Sequence, residues 1–240
     1  MNILVTGGAS GLGEKITKNL LQNKNNSVYF TYNSSEVNAN KISYEFSNSK
    51  AINCDFNNLN SVKSLCKIIP DINLEVLINN AYTGNAINKY FHKNNIDDFS
   101  NDFLSNIIPT ILITQSSISH FRKQKKGKII TILTSFLINS PPIGASQYVA
   151  TKAYLKSLTK SWANENKKFN ITSNSISPSF MQTNFTSNVD ERIIDQIIND
   201  NPLKKILSTS EVAESVSYLV NSSQQINGID LLINSADNIN

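Results

Sequence analysis

Tyr148 and Lys152 stand four residues apart in Tyr148-Val149-Ala150-Thr151-Lys152. On a helix, that spacing puts both side chains on one face, one turn apart. A free Tyr titrates near pH ~10, too high for ready proton exchange at neutral pH. An ammonium about 4 Å from the phenolate, at an effective dielectric of about 20, favours ionisation by roughly 4 kcal/mol. Such a pair makes a Tyr into a usable acid/base, although the same spacing also fits a plain amphipathic helix. Two further features narrow the choice. Ser135 offers a hydroxyl thirteen residues before Tyr148, just past an apolar run. Thr6-Gly7-Gly8-Ala9-Ser10-Gly11-Leu12-Gly13 follows the strand-like Asn2-Ile3-Leu4-Val5 directly. A strand that turns sharply into a helix through glycines presents its first amides to an anion. Gly7 permits the turn, Gly11 lets the anion approach the backbone, and Gly13 lets the helix pack closely on the sheet.

Together these residues resemble the short-chain dehydrogenase/reductase family, in its single-domain branch. The likeness covers essentially the whole chain. The glycine signature, Asn79-Asn80-Ala81, Asn106, Ser135, Tyr148, Lys152 and Pro178 with Thr183 all fall in the family's order and at about its spacings. The resemblance implies an NAD(P)H-dependent oxidoreductase that reduces a ketone to a secondary alcohol, or the reverse. The general look is closest to 3-oxoacyl-acyl-carrier-protein reductases. In the implied roles, Tyr148 gives its proton to the carbonyl oxygen, and Lys152 lowers the Tyr pKa and binds the nicotinamide ribose. Ser135 holds the carbonyl oxygen, and Asn106 anchors a water that relays protons through Lys152. Asn is mediocre in helix interiors, and Pro109 should kink the helix beside Asn106 by freeing a carbonyl near Ser105.

The cofactor residues implied are Gly7, Ala9, Ser10, Gly11, Leu12, Gly13, Asn33, Ser34, Asp55, Phe56, Asn80, Ala81, Tyr148, Lys152, Pro178, Met181 and Thr183. Within these, Asp55 resembles an adenine-contacting acid, or else caps the helix that follows. An acid closing the second strand would bind the ribose 2′-OH of NAD. Here Thr31-Tyr32-Asn33-Ser34-Ser35 carries none before Glu36, so NADP(H) is favoured over NAD(H), without an Arg or Lys to complete the charge complement. The chain departs from the family pattern at Tyr82 and Ser179, each in place of Gly, and at Asn234-Ser235-Ala236 in place of Asp-Gly-Gly. Two other readings stay open. One is an enzyme acting on a keto-sugar or other polar metabolite, as in surface glycan synthesis. The other is a non-catalytic dinucleotide-binding sensor or structural subunit. Phe136, Leu137, Ile138 and Ile143, with Phe180, Met181 and Phe185, suit the wall of an acyl pocket. Gln182, Asn184, Thr186 and Asn188 suit a hydroxylated substrate instead.

The 240 residues, 40% hydrophobic and 17% charged, fit one α/β domain with a large core. With a first strand expected at residue 2, no signal peptide is expected ahead of the fold, and no apolar run approaches the ~20 residues of a membrane span. A cytoplasmic location is expected. Cys54 and Cys66 read as reduced core residues, and His92 and His120 lack companions at metal-ligand spacing; no metal is expected. The net charge of +4 is densest in Arg122–Lys128, where cations complement a helix C-terminus or steer an acidic carrier protein to the substrate mouth. Nucleic acid is not expected, because no aromatic residues interleave with the basic ones.

Apolar runs alternating with helical patterns predict βαβ units in a doubly wound, parallel, seven-stranded Rossmann sheet with helices on both faces. Strands are expected at Asn2–Thr6, Ser27–Thr31, Ala51–Cys54, Glu75–Asn79, Lys128–Leu133, Ile171–Ser177 and Ile229–Ile233. Helices are expected near Gly11–Asn23, Ser35–Ser47, Leu59–Ile69, Asp97–Lys123, Gln147–Asn166, Glu191–Asn199 and Ser210–Asn221. The irregular stretch around 179–205 is of a size that is often a lid. Apolar residues such as Phe103, Ile107, Ile111, Leu155, Leu158 and Trp162 on the two long helices predict a homo-oligomer, a tetramer or else a dimer.

Overall fold

The computed structural model describes residues 1–87, 89–138, 140–187 and 189–237. Seven parallel strands form one sheet: β1 (Asn2–Val5), β2 (Ser27–Tyr32), β3 (Ser49–Asn53), β4 (Val76–Asn79), β5 (Gly127–Ile132), β6 (Ile171–Pro178) and β7 (Asp230–Ile233). Their order is β3-β2-β1-β4-β5-β6-β7. The helices are α1 (Gly11–Leu21), α2 (Glu36–Glu45), α3 (Leu59–Asp71), α4 (Ile96–Asp102), α5 (Ile108–Gln124), α6 (Ser146–Asn166), α7 (Glu191–Asp200) and α8 (Thr209–Asn221). This is the single Rossmann-like α/β domain that the alternating pattern predicts.

The strand repeat of two sorts the apolar residues into two cores. Ile3, Val5, Ile78 and Ile130 face one side, against Ile16 and Leu20 of α1, Ile42 of α2 and Val216 of α8. Leu4, Leu77 and Ile129 face the other, against Leu65 of α3, Phe121 of α5 and Trp162 of α6. β6 breaks the apolar rule. It is buried throughout yet carries Thr172, Ser173, Asn174, Ser175 and Ser177. Ser175 and Ser177 donate to Asp230 at 2.8 Å, and Lys156 pairs with the same carboxylate at 2.8 Å.

The long helix expected at Asp97–Lys123 is three pieces. Between α4 and α5, residues Phe103–Ile107 form a π turn in which the Ile108 N–H reaches the Phe103 carbonyl. Pro109 has no N–H to give the Ser105 carbonyl, so the ladder lengthens locally. Three of the five basic residues of the run bond within the chain, although Arg122, Lys123, Lys125 and Lys126 are exposed. Arg122 donates to Asn166 at 2.7 Å and stacks over Phe169, Lys126 pairs with Glu75 at 2.8 Å, and Lys128 donates to the Val220 carbonyl at 2.8 Å. The run enters β5 at its N-terminal end, so within one chain it lies away from the carboxyl ends of the strands, where ligands bind. It does not border the mouth it was expected to serve.

After β7, Ser235 (φ +57°) and Ala236 (φ +58°) both take the left-handed conformation. These are the positions where the family pattern has glycine. A side chain costs energy there that glycine does not. We expect Ala236→Gly to raise the unfolding free energy by about 0.5–1 kcal/mol, read as a higher urea midpoint; a lower midpoint would show the conformation to be unstrained.

Candidate active site

At the carboxyl ends of the strands, the order reverses between β1 and β4, and a cleft of about 380 Å³ opens beside the glycine loop. Gly7, Ala9, Ser10, Gly11, Leu12 and Gly13 line it. Gly7 turns at φ +65° and donates its N–H to Thr31 Oγ1 at 2.9 Å. Gly11 (φ +52°) faces open space: the nearest atom to an added Cβ would be Thr183 Cβ, 3.7 Å away. A Cβ on Gly13 would stand 2.0 Å from the Gly7 carbonyl oxygen, which is backbone and cannot yield. Gly13→Ala should therefore cost about 1–3 kcal/mol or more through overpacking and weaken dinucleotide binding with it; a wild-type melting curve would refute the close-packing role. Ser10 heads α1 without a side-chain cap, which leaves the first-turn amides for an anion. The loop thus fits a pyrophosphate.

Thr31, Tyr32, Asn33, Ser34 and Ser35 line the far end, with Cys54 and Phe56. Asp55 is not among the lining residues. Its carboxylate accepts from the Asn57 N–H at 2.9 Å and from Asn33 Nδ2 at 3.4 Å, while Asn58 caps α3. Asn80 ties the cleft's two walls together. Its Nδ2 donates to the carbonyls of Thr6 and Gly7 at 3.0 and 3.2 Å, and Thr6 Oγ1 accepts from the N–H groups of Asn80 and Ala81.

At the other end, α6 brings Tyr148 and Lys152 to the cleft on one face, both buried. Lys152 Nζ donates to the Ile132 carbonyl at 2.8 Å and lies 5.6 Å from the Tyr148 ring centre. Burial pushes the Tyr148 phenol up to about 12, opposed by a hydrogen bond with Thr134. Burial likewise lowers Lys152 to about 8, opposed by the charge of Asp102. The expected depression of the Tyr148 pKa by Lys152 is thus not the balance found in this arrangement, because desolvation of the phenolate dominates.

Thr134, Phe136 and Tyr148 line the cleft, whereas Ser135 is not among the lining residues. Ser135 is buried at the start of a 3₁₀ turn, Ser135–Leu137. Thr134 Oγ1 accepts from the Phe136 N–H at 3.3 Å, which leaves its proton for the Tyr148 oxygen. Asn106 is buried in the π turn. Its Oδ1 accepts from Thr83 N–H at 2.7 Å, and its Nδ2 donates to the Thr83 carbonyl and to Asp102 Oδ1, each at 3.1 Å. The side chain is engaged by protein partners, clamping the loop after β4.

That loop carries Tyr82, whose role the sequence reading left open. Its ring meets Tyr148 edge-on at 5.1 Å and Phe185 at 5.5 Å, and its hydroxyl donates to Asp102 Oδ1 at 2.6 Å. Burial and the Asp102 carboxylate both raise the Tyr82 pKa.

The short chain dehydrogenase family model matches residues 1–193. The chain is a short-chain dehydrogenase/reductase. It is 31% identical over 224 residues to the 3-oxoacyl-acyl-carrier-protein reductase FabG of Aquifex aeolicus, covering 90% of this chain and 88% of that one. It is 30% identical over 220 residues to carbonyl reductase family member 4 of Xenopus laevis, covering 91% and 90%. A solved structure of a short chain dehydrogenase/reductase family protein superposes with a TM-score of 0.86 at 26% identity, covering 97% of this chain and 95% of that one. Short-chain dehydrogenases are oxidoreductases that bind a nicotinamide dinucleotide, and the glycine loop, Asn80 and the Tyr148–Lys152 face border one continuous cleft in this one.

The wall of this short-chain dehydrogenase differs from the expected one. Phe136 lines the cleft, but Leu137, Ile138 and Ile143 are not among the lining residues. Leu137 packs on the small core of Ile107, Leu133 and Leu155, and Ile143 is 69% exposed. The 3₁₀ turn after Thr134 rotates successive residues away from one another, so chain proximity does not make one wall. From the segment after β6, Pro178, Ser179, Phe180, Met181, Thr183, Asn184, Phe185 and Thr186 line the cleft. Gln182 is not among them, and Asn188 lies outside the described residues. Among the described residues, no helix is long and apolar enough to cross a membrane.

Proposed function

We propose that this short-chain dehydrogenase reduces a ketone to a secondary alcohol with NADPH, with Tyr148 as the proton donor. The observation that carries the reading is the buried Tyr148 phenol at the cleft, protonated at neutral pH, hydrogen-bonded to Thr134 and one helical turn from Lys152. The nicotinamide, when bound, supplies the hydride. Tyr148 gives its proton to the carbonyl oxygen, and the hydroxyl of Thr134 or Ser135 steadies the developing charge. Comparing Thr134→Val with Ser135→Ala assigns that hydroxyl: the contact to Tyr148 favours Thr134, and the family pattern favours Ser135. Asn106 holds the Thr83 loop in place beside them.

Gly7, Ala9, Ser10, Gly11, Leu12 and Gly13 would hold the pyrophosphate, Phe56, Asn80 and Ala81 the adenosine, and Pro178, Met181 and Thr183 the nicotinamide. Asn33 and Ser34 support a 2′-phosphate. Among the described residues, no Asp or Glu lines the cleft, and Lys152 is its one charged lining residue. Fluorescence titration with both reduced cofactors checks this; tighter NADH binding would overturn the preference.

For the substrate, we favour an acyl thioester ketone. Phe136, Phe180, Met181 and Phe185 line the cleft, and each buried methylene contributes about 0.8 kcal/mol. The name of the Aquifex relative points the same way. Thr183, Asn184 and Thr186 on the same rim favour a keto-sugar as the second reading. NADPH oxidation with acetoacetyl thioesters beside keto-sugar nucleotides decides. Thioesters inert at millimolar concentration while a keto-sugar turns over would refute the acyl reading. NADPH binding without turnover of either class would favour the non-catalytic sensor.

A homo-oligomer completes the reading. Ile107, Leu155 and Trp162 serve the chain's own core rather than a subunit contact. Exposed Leu104 and Tyr154, with Phe103 edge-on to Tyr154 at 5.4 Å, form the apolar patch on this face instead. A monomer by light scattering at micromolar concentration would overturn it.

A further inference from the structure

We propose that Asp102 is a positioning residue: a fixed counter-charge that keeps Lys152 protonated within the site, locked in place by Tyr82, Asn106 and Thr151. What the charged Lys152 is for rests on the reductase reading above; that Asp102 sets its charge does not.

Asp102 ends α4, immediately before the π turn. Three separate segments aim a donor at its carboxylate. Tyr82, on the loop after β4, donates to Oδ1 at 2.6 Å, and Asn106, in the π turn, donates to the same oxygen at 3.1 Å. The Thr151 hydroxyl, from α6, donates to Oδ2. Hydrogen bonds to a carboxylate are short and strong, and they fix its place as well as its charge. Thr151 directly precedes Lys152 on α6, so the bond that holds Asp102 also ties it to the helix that carries the ammonium.

Lys152 needs such a partner. Its ammonium is buried, with a carbonyl, that of Ile132, as its hydrogen-bond acceptor, and a buried ammonium drifts towards the neutral amine. The titratable groups that face it are Tyr148 from its own helix, Tyr82 from the loop after β4, and Asp102 from the end of α4; β5 contributes the Ile132 carbonyl. Of these, Asp102 supplies the opposite charge that favours the ammonium, while the Tyr82 and Tyr148 rings, 5.5 and 5.6 Å from Nζ, add a weaker attraction. Tyr82 links this pair to the cleft. Its ring centre is 5.5 Å from Lys152 Nζ, and it packs on Tyr148. Tyr82 occupies a position where the family pattern has glycine, so the lock on Asp102 is a feature of this chain rather than of the pattern.

The test reads the Lys152 midpoint by side-chain nitrogen NMR on the unliganded full chain, beside the pH profile of NADPH oxidation. Asp102→Asn keeps the shape and removes the charge, and should lower the midpoint by about one unit, the effect of removing one neighbouring charge at an effective dielectric of about 20. The alkaline limb of the rate profile should move down with it. The double variant Tyr82→Phe with Thr151→Val keeps the charge but removes two of the three donors that hold it, leaving Asn106, and should lower the midpoint by less than Asp102→Asn does. An unmoved midpoint in Asp102→Asn overturns the proposal, as does an equal fall in the double variant, which would mark a packing effect. If Asp102→Asn does not fold, the double variant alone decides: a lowered midpoint with the alkaline limb moving beside it supports the lock, and an unmoved or raised one overturns the proposal. Should no ketone oxidise NADPH while Asp102→Asn still lowers the midpoint, the counter-charge stands and the reductase reading falls.

Discussion

Tyr148→Phe should lower ketone turnover by about 10²–10⁴-fold, the usual contribution of a positioned general acid, while NADPH affinity stays near wild type. The substitution removes only the phenolic oxygen. The ring keeps its edge contact with Tyr82 at 5.1 Å and its tilted contact with Phe185 at 5.7 Å, so the shape of the cleft is retained. What is lost is a proton held at the carbonyl. With the phenol raised to about 12 by burial, the wild-type residue carries that proton throughout the neutral range. Reduction should therefore show no alkaline loss attributable to Tyr148 itself below pH ~10, the ordinary Tyr value; the alkaline limb belongs to Lys152. Single-turnover measurement of NADPH oxidation separates the chemical step from binding. A Tyr148→Phe rate within a few-fold of wild type on an accepted ketone would remove Tyr148 from the mechanism.

Lys152→Met should abolish turnover and at the same time change how stability depends on pH. Burial places the folded-state Lys152 at about 8, below its ordinary 10.5. Between those values, the unfolded chain binds more protons than the folded one, so wild-type stability from this group rises with pH. Below the folded pKa, the penalty is fully present; above the unfolded value, it has gone. The interval of 10.5 − 8 = 2.5 corresponds to about 3 kcal/mol at 1.36 kcal/mol per pH unit. Met carries no charge and feels none of this. Relative to Lys152→Met, the wild type should therefore gain about 3 kcal/mol between pH 7 and pH 10.5. The unpaired Ile132 carbonyl in the variant costs the same at every pH, so it offsets the curve without altering its slope. Urea unfolding of both proteins across this range measures the difference. Parallel curves would show that Lys152 is not desolvated at a cost, and would weaken the need for Asp102 as its partner.

The fold was legible in the sequence because it is written in short-range pattern. Apolar runs of strand length separated by helical stretches define seven strands and the doubly wound sheet, and the two-residue repeat within Ile3-Leu4-Val5 already assigns each residue to one of the two cores. The turn at Gly7 and the close packing at Gly13 were also legible, since a positive φ and a missing Cβ are properties of single residues. Pro109 foretold a break beside Asn106, and its missing N–H is what lengthens the ladder there into a π turn. The pairing of Tyr148 and Lys152 on one face followed from helical spacing alone.

What the tertiary structure decided is every contact between segments far apart in the chain. Tyr82, Asp102 and Thr151 share no local motif, yet the loop after β4, the end of α4 and the middle of α6 meet at one carboxylate. The same holds for Phe185 against Tyr148. The wall of the cleft could not be read from proximity to Ser135, because a 3₁₀ turn sends Phe136 inward and Leu137 to a separate core. Ionisation followed the same rule. Spacing tells which charges are neighbours, but the Tyr148 and Lys152 pKa values are governed first by desolvation, and burial is a sum over the whole fold that no local stretch contains.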